Sequence, residues 1–201
     1  MSIRHSLLAL LADRPMYGYQ LRSRFEECTG GTWPLNVGQV YTTLGRLERD
    51  GLVAPSGEDD AGHVYYEITD QGRDEVRSWF AEPVARTSPP RDELAIKLAM
   101  AVTAPGVDVR AVVQTQRTAT LRALQEYTRL KRQDGGDLAW SLVLDSLVFA
   151  AEAEIRWLDH CEARLARAAA DGPSAPDVAP APAQTAARVE QVREARRGAR
   201  R

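Results

Sequence analysis

Trp33-Pro34-Leu35-Asn36-Val37-Gly38-Gln39-Val40-Tyr41-Thr42-Thr43-Leu44-Gly45-Arg46-Leu47-Glu48-Arg49-Asp50-Gly51-Leu52-Val53 reads as one short helix with two unlike faces. Val37, Val40, Leu44 and Leu47 recur at intervals of three and four residues, which lines one side of an α-helix with apolar groups. Gln39, Thr42, Thr43, Arg46 and Arg49 fall on the other side. Asn36 suits the N-cap, with Gln39 three residues on as in a capping box, and Gly51 suits the C-terminal stop. A face of small hydroxyls, an amide and guanidinium groups matches base-pair edges in a DNA major groove. Gln pairs with adenine, Arg with guanine, and Thr methyls meet thymine. Taken alone, the same face also fits an ordinary solvated helix, so the flanking elements decide.

Upstream, Ile3, Leu7, Leu8, Leu10 and Leu11 mark a first helix over residues 3–12, ending before Pro15. Tyr17-Gly18-Tyr19-Gln20-Leu21-Arg22-Ser23-Arg24-Phe25 begins a second, with Leu21 and Phe25 inward and Gly30-Gly31 as its stop. Downstream, residues 52–54 and 63–68 predict two short strands. Val64, Tyr66 and Ile68 alternate with His63, Tyr65 and Glu67, and a polar turn over 55–62 joins the strands. Thr69 caps a fourth helix, with Val76 and Phe80 expected on one side. Three helices followed by a hairpin is the order of a winged helix-turn-helix, here with a longer than minimal turn between the second and third helices.

Thr87-Ser88-Pro89-Pro90 breaks the chain. Residues 93–102 then form a short helix on Leu94, Leu98 and Val102, and Ala104-Pro105-Gly106 breaks it again. Residues 109–131 form a long amphipathic helix lined by Val109, Val112, Val113, Leu121, Leu124, Tyr127 and Leu130. Gly135-Gly136 turns the chain into a longer helix over 138–169, lined by Trp140, Leu144, Leu147, Ala151, Ile155, Leu158 and Leu165 at coiled-coil-like spacing. Two stripes of this length exceed what one small domain buries, so pairing with a second copy as a two-fold dimer is expected. An intramolecular hairpin packed on the winged helix is the alternative. The expected fold is mainly α. It comprises a winged helix-turn-helix with a two-stranded wing over 1–84, a linker and short helix over 85–106, and a long-helix dimerisation domain over 107–170. A Pro/Ala-rich and Arg-rich flexible tail spans 171–201, and its last 18 residues carry six Arg against two Glu, the makings of a loose basic arm for phosphates.

The 201 residues are 44% hydrophobic and 27% charged, a globular rather than a disordered balance. No apolar run approaches the roughly 20 residues that span a bilayer. Met-Ser-Ile-Arg-His lacks the design of a signal peptide, so a cytoplasmic protein without a membrane partner is expected. Cys28 and Cys161 are far apart and form no CxxC unit, which fits reduced, packed thiols. The net charge of −2 excludes a bulk nucleic-acid binder, so any DNA contact must be a local arrangement. His5, His63 and His160 show no carboxylate spacing that suggests a metal or a triad, and Gly30-Gly31 and Gly135-Gly136 lack a phosphate loop's lysine. No enzyme, metal or cofactor is expected. Trp79, Trp140, Phe149 and Trp157 are candidates to line a site for a planar apolar effector, and otherwise fill the core of a dimer.

Pro15-Met16-Tyr17-Gly18-Tyr19-Gln20-Leu21, the Gly38 to Val53 run and Tyr66-Glu67-Ile68-Thr69-Asp70-Gln71-Gly72-Arg73 together resemble the PadR family of bacterial transcriptional regulators. Asp92-Glu93-Leu94-Ala95-Ile96-Lys97-Leu98 and the long terminal helices resemble its larger subgroup, and the likeness covers approximately residues 1–168. The resemblance implies a homodimeric repressor that leaves operator DNA when a small molecule, aromatic or drug-like in kind, binds or when another signal arrives. By position, residues 36–50 would enter the major groove. Asn36, Gln39, Tyr41, Thr42, Thr43 and Arg46 would lie there, Tyr41 also bordering the helix-turn-helix junction. Tyr19 matches a tyrosine that contacts phosphate. The wing departs from the pattern: Gly57-Glu58-Asp59-Asp60-Ala61-Gly62-His63 carries three carboxylates and only His63 to meet DNA. Residues 1–70 hold six Arg against ten Asp and Glu, so modest affinity with a shallow salt slope is expected. The competing reading is a winged-helix protein-interaction module whose acidic wing is the contact surface. A MarR-like arrangement would place a dimer helix ahead of the winged helix, which here begins at residue 3.

Overall fold

Leu7, Leu8 and Leu11 of α1 (Ile3–Leu11) are fully buried, as are Leu21 of α2 (Gly18–Thr29) and Val40, Leu44 and Leu47 of α3 (Val37–Arg49). The computed structural model describes residues 3–84, 91–170, 187–188, 190–192 and 194. The expected break at 87–90, the linker of the tail and most of its basic arm therefore lie outside the described residues.

Helix ends follow local chemistry. At the end of α2, Gly30 takes the left-handed conformation (φ 56°), and the Gly31 and Gly30 amides donate back to Glu26 O and Glu27 O. At the end of α3, Gly51 does the same (φ 72°): its amide donates to Glu48 O and that of Leu52 to Leu47 O, both at 2.9 Å. A side chain in the left-handed region would be strained, so glycine ends both helices. At the start of α3, Asn36 Oδ1 accepts from the Gly38 amide at 2.8 Å. The expected capping box does not form there, and the exposed Gln39 side chain has no partner among the described residues. A glutamine reaching back is found one helix earlier, where the Tyr17 amide donates to Gln20 Oε1.

β1 (Val53–Glu58) pairs antiparallel with β2 (Val64–Ile68), Val53 opposite Ile68, with a register shift between Pro55 and Gly57. Ser56 is the extra residue at this bulge, and the strand runs on to Glu58, well into the stretch read as turn. Met16, between α1 and α2, adds a rung to the hairpin: its amide and carbonyl both bond Tyr66 at 3.1 Å. α4 (Asp70–Ala81) then returns to α1. Its cap Thr69 donates its hydroxyl to Gly51 O at 2.8 Å and accepts from the Gly72 amide at 3.1 Å. Val76 is buried as expected, but Phe80 is 69% exposed. Phe80 instead leans on Trp79, ring centroids 4.7 Å apart, and Trp79 stacks on His5. One turn beyond Val76 the apolar stripe has run off the core.

The remaining helices are α5 (Glu93–Thr103), α6 (Val109–Gln133) and α7 (Leu138–Ala170). The chain divides into two compact units: Met1–Val84 with Tyr127–Val148, and Ala85–Glu126 with Phe149–Arg201. In the first, the start of α7 joins the winged helix, and the Trp140 ring covers Gly30, where an added Cβ would lie 2.4 Å from it. In the second, Leu98, Val113 and Leu158 form the core. Glu154 of α7 there accepts from Gln116 and Thr120 of α6, and Arg117 donates to Asp159 at 2.7 Å.

Gly72 has the tightest backbone approach in the winged helix, since a Cβ on it would lie 2.2 Å from Leu52 O. Gly72→Ala is expected to lower stability by about 2 kcal/mol, read from denaturant unfolding of the full chain.

Candidate nucleic-acid interface

The buried stripe of α3 faces the α1 and α2 leucines, so its opposite side must face outward. Gly38, Gln39, Tyr41, Thr42, Gly45, Arg46 and Arg49 are all exposed, and Thr43 is half-buried at the edge. Thr42 Oγ1 donates to Gly38 O at 2.8 Å and Thr43 Oγ1 to Gln39 O at 2.7 Å. Asn36 is committed to its cap through Oδ1. Tyr41 lies at the crossing of α2 and α3, where a Cβ on Gly18 would meet its ring at 2.7 Å. Its place at the junction is therefore structural, with one edge exposed. Tyr19, on the first turn of α2, is 55% exposed.

Most arginines of the winged helix are already paired. Arg4 donates to Asp50 at 3.0 Å, Arg49 holds the other oxygen of the same carboxylate, and Arg22 and Arg24 pair with Glu26 and Glu27. The Arg49 hydrogen bond, followed by the charges of Arg49 and Arg4, holds the Asp50 carboxyl below its ordinary range against partial desolvation. Arg46 and Arg14 have no ion-pair partner among the described residues. Arg46 projects from the centre of the outward face. Arg14, in the loop after α1, carries no periodicity or motif that marks it in the sequence.

The wing is built differently from the expected free acidic turn. Asp59 accepts from the Ala61 and His63 amides at 3.0 and 2.9 Å, and its carboxylate meets His63 Nδ1 at 2.9 Å. These bonds, the His63 amide first, draw the Asp59 carboxyl below its usual range. The His63 ring also stacks on Tyr17 at 4.5 Å, and Tyr65 meets Tyr17 edge-on at 5.4 Å. His63 is thus engaged within the wing, while Glu58 and Asp60 remain without an ion-pair partner among the described residues. Tyr17 is the residue that sequence reasoning missed. It precedes α2 and anchors the wing to it, and only its aromatic neighbours in space reveal the role.

The four aromatic effector candidates have separate settings. Trp79 stacks on His5 with planes 7° apart, Trp140 covers Gly30, and Phe149 is 67% exposed. Trp157 lines an open apolar cavity of about 390 Å³ in the second unit, with Ala95, Leu98, Val113, Cys161 and Arg164. Among the described residues, no group of His, Cys, Asp and Glu is placed to hold a metal, and no helix is long and apolar enough to cross a membrane.

A bundle of three helices, a paired wing and an outward helix face bearing a free arginine define the class of winged-helix transcriptional regulators. Comparison with known proteins narrows it. Residues 7–78 match the model of the Transcriptional regulator PadR-like family, and residues 90–166 match that of the Virulence activator alpha C-term. A probable transcriptional regulator of Mycobacterium tuberculosis is 30% identical over 180 residues, which cover 80% of this chain and 95% of that protein. Bacillus subtilis PadR in complex with operator DNA superposes with a TM-score of 0.64 at 18% identity, over 82% of this chain and 99% of that one. The Vibrio cholerae virulence activator AphA does so with a TM-score of 0.61 at 24% identity, over 82% and 98%. The chain belongs to the PadR-like family of transcriptional regulators. It is a DNA-binding regulator and not an enzyme.

Because the Asp59 carboxyl is drawn down, its bonds to the wing hold above the ordinary carboxyl pKa of about 3.9 and are lost as pH falls through the lower folded value. Protection of the Ala61 and His63 amides, taken as the exchange rate relative to the intrinsic rate at each pH, is expected to hold from neutral pH to about pH 4 and to be lost as pH falls further through the lowered folded value. In Asp59→Ala both amides should lack that protection at every pH, with α3 unchanged.

Proposed function

We propose that this protein is a homodimeric repressor that binds an inverted-repeat operator and is released by a small apolar or aromatic effector. The observation that carries the DNA reading is the outward face of α3, where Arg46 stands unpaired opposite a fully buried stripe. Gln39, Thr42, Thr43 and Arg46 specify bases, Arg46 through the bidentate pattern that suits guanine. Tyr19 and the Asn36 end of the helix set its register on the phosphates. Two copies related by a two-fold axis place their third helices about one DNA turn apart, roughly 34 Å, which calls for an inverted repeat.

Dimerisation is supported by apolar side chains that the single chain leaves uncovered. α7 carries two stripes on opposite faces. Trp140, Leu144, Ala151 and Leu158 pack on their own chain, whereas Leu138, Leu142 and Phe149 are 71%, 61% and 67% exposed. On α5, Ile96, Met100 and Val102 are exposed as well. Large apolar groups aligned along a helix and left in water mark an interface. The cavity beside Trp157 has the size of small-molecule sites, and Bacillus subtilis PadR has also been solved with p-coumaric acid. An effector seated there acts by preferring one of two dimer geometries, the one that cannot span the operator. The acidic residues of the wing keep the competing protein-interaction reading distinct, since that reading needs no operator.

The discriminating experiment is fluorescence anisotropy on duplex DNA from upstream of the protein's own gene, against scrambled DNA, at two salt concentrations. Tighter binding to the upstream duplex at both salts is expected, and Arg46→Ala should abolish the preference while the dimer stays intact. Equal, salt-sensitive binding to both duplexes favours the protein-interaction module. In sedimentation, the wild type should run at about twice the chain mass of 22.2 kDa. Replacing Leu142 and Phe149 together with Asp should yield monomers, because burying two carboxylates in an apolar interface costs several kcal/mol.

A further inference from the structure

Thr42 sits at the middle of the outward face of α3, with Gly38 four residues before it and Gly45 three residues after it on the same side. Gly38 sits tight against the cap of its helix, but nothing among the described residues calls for glycine at position 45. A Cβ on Gly45 would meet nothing within 4 Å, and one on Gly38 would meet only the Asn36 cap oxygen at 3.3 Å. Neither has the positive φ that favours glycine. Glycine is the weakest helix former after proline, so Gly45, mid-helix and exposed, weakens α3 without any internal return. What it does supply is clearance, because the helix backbone itself is the outermost surface beside Thr42.

The hydroxyls narrow what Thr42 can read. Thr42 Oγ1 and Thr43 Oγ1 each donate to a carbonyl of their own helix. A hydroxyl has one proton, so neither can donate to guanine N7 or O6, or to thymine O4, which are acceptors in the major groove. Oγ1 keeps only acceptor capacity, which suits adenine N6 or cytosine N4. Toward thymine, whose O4 is itself an acceptor, the methyl is the group Thr42 can present, and thymine meets it with a methyl. Gln39 and Arg46, on the same helix and without a partner among the described residues, keep their donors for adenine and guanine.

We infer that Thr42 is a specificity residue that packs its methyl on a thymine 5-methyl in each half-site, and that Gly45 lets α3 come close enough for this short side chain to reach. The inference rests on α3 being the helix that reads operator DNA, and it names the base read.

The test begins by selecting duplexes from a random pool with the full-length protein. Each thymine of the enriched half-site is then replaced by deoxyuridine, which lacks only the methyl. At one symmetric position the wild type should lose about fourfold in affinity, the worth of one buried methyl group. Thr42→Ser should lose a similar factor on the thymine duplex and no longer distinguish thymine from deoxyuridine there, the non-additivity that marks direct contact. Gly45→Ala should melt a few degrees higher yet bind the selected duplex about tenfold more weakly, as an added methyl holds the helix off the groove. If Thr42→Ser still discriminates at every thymine as the wild type does, or Gly45→Ala binds as tightly as the wild type, the inference is overturned while operator reading by α3 stands. A pool with no enriched sequence overturns operator reading itself, and this inference with it.

Discussion

The burial of one face of α3 against α1 and α2 is the constraint on which the rest depends. Val40, Leu44 and Leu47 are fully buried among Leu7, Leu8, Leu11 and Leu21, each side chain contributing about 2 kcal/mol by leaving water. A helix of this length has only two sides. Once the apolar stripe is seated, Gln39, Thr42, Gly45, Arg46 and Arg49 have no direction but outward. The outward surface of α3 follows from the core rather than from any force that acts on it directly.

The ends of α3 show how that seating is kept in register. Asn36 closes one end through the Gly38 amide, and the Gly51 turn closes the other while delivering Leu52 into the core. Thr69 then ties the Gly51 carbonyl to the start of α4, and Gly72 lets α4 pass against Leu52. Asp50, held by Arg4 and Arg49, links the same corner back to α1. The exposed ion pairs contribute little energy individually. Their effect is selective: pairing Arg4, Arg22, Arg24 and Arg49 within the chain leaves Arg46 as the α3 guanidinium without an ion-pair partner among the described residues.

Much of this is legible in the sequence because it is governed by short-range rules. The 3.6-residue period of Val40, Leu44 and Leu47, the Asn36 cap, the glycine stops at Gly30 and Gly51, and the Thr69 cap each involve residues a few positions apart. The elements that escaped involve partners far apart in the chain. Met16 bonding Tyr66, Tyr17 stacking on His63 and Trp140 covering Gly30 have no periodicity or local motif to announce them. Phe80 shows the opposite failure. Its spacing from Val76 fits an inward stripe, but the core ends one turn earlier.

The sequence by itself determined which residues form each helix, where the helices stop, and which side of α3 is apolar, because backbone hydrogen bonding and hydrophobic periodicity act between near neighbours. The tertiary structure alone decided how those residues are used. It tied the half-exposed His63 to Asp59 and Tyr17, seated the Tyr41 ring against Gly18, and put Trp157 beside a cavity while leaving Phe149 in water. Those outcomes turn on which groups meet across long stretches of chain, and side-chain packing and charge pairing are settled only when the whole fold brings them together.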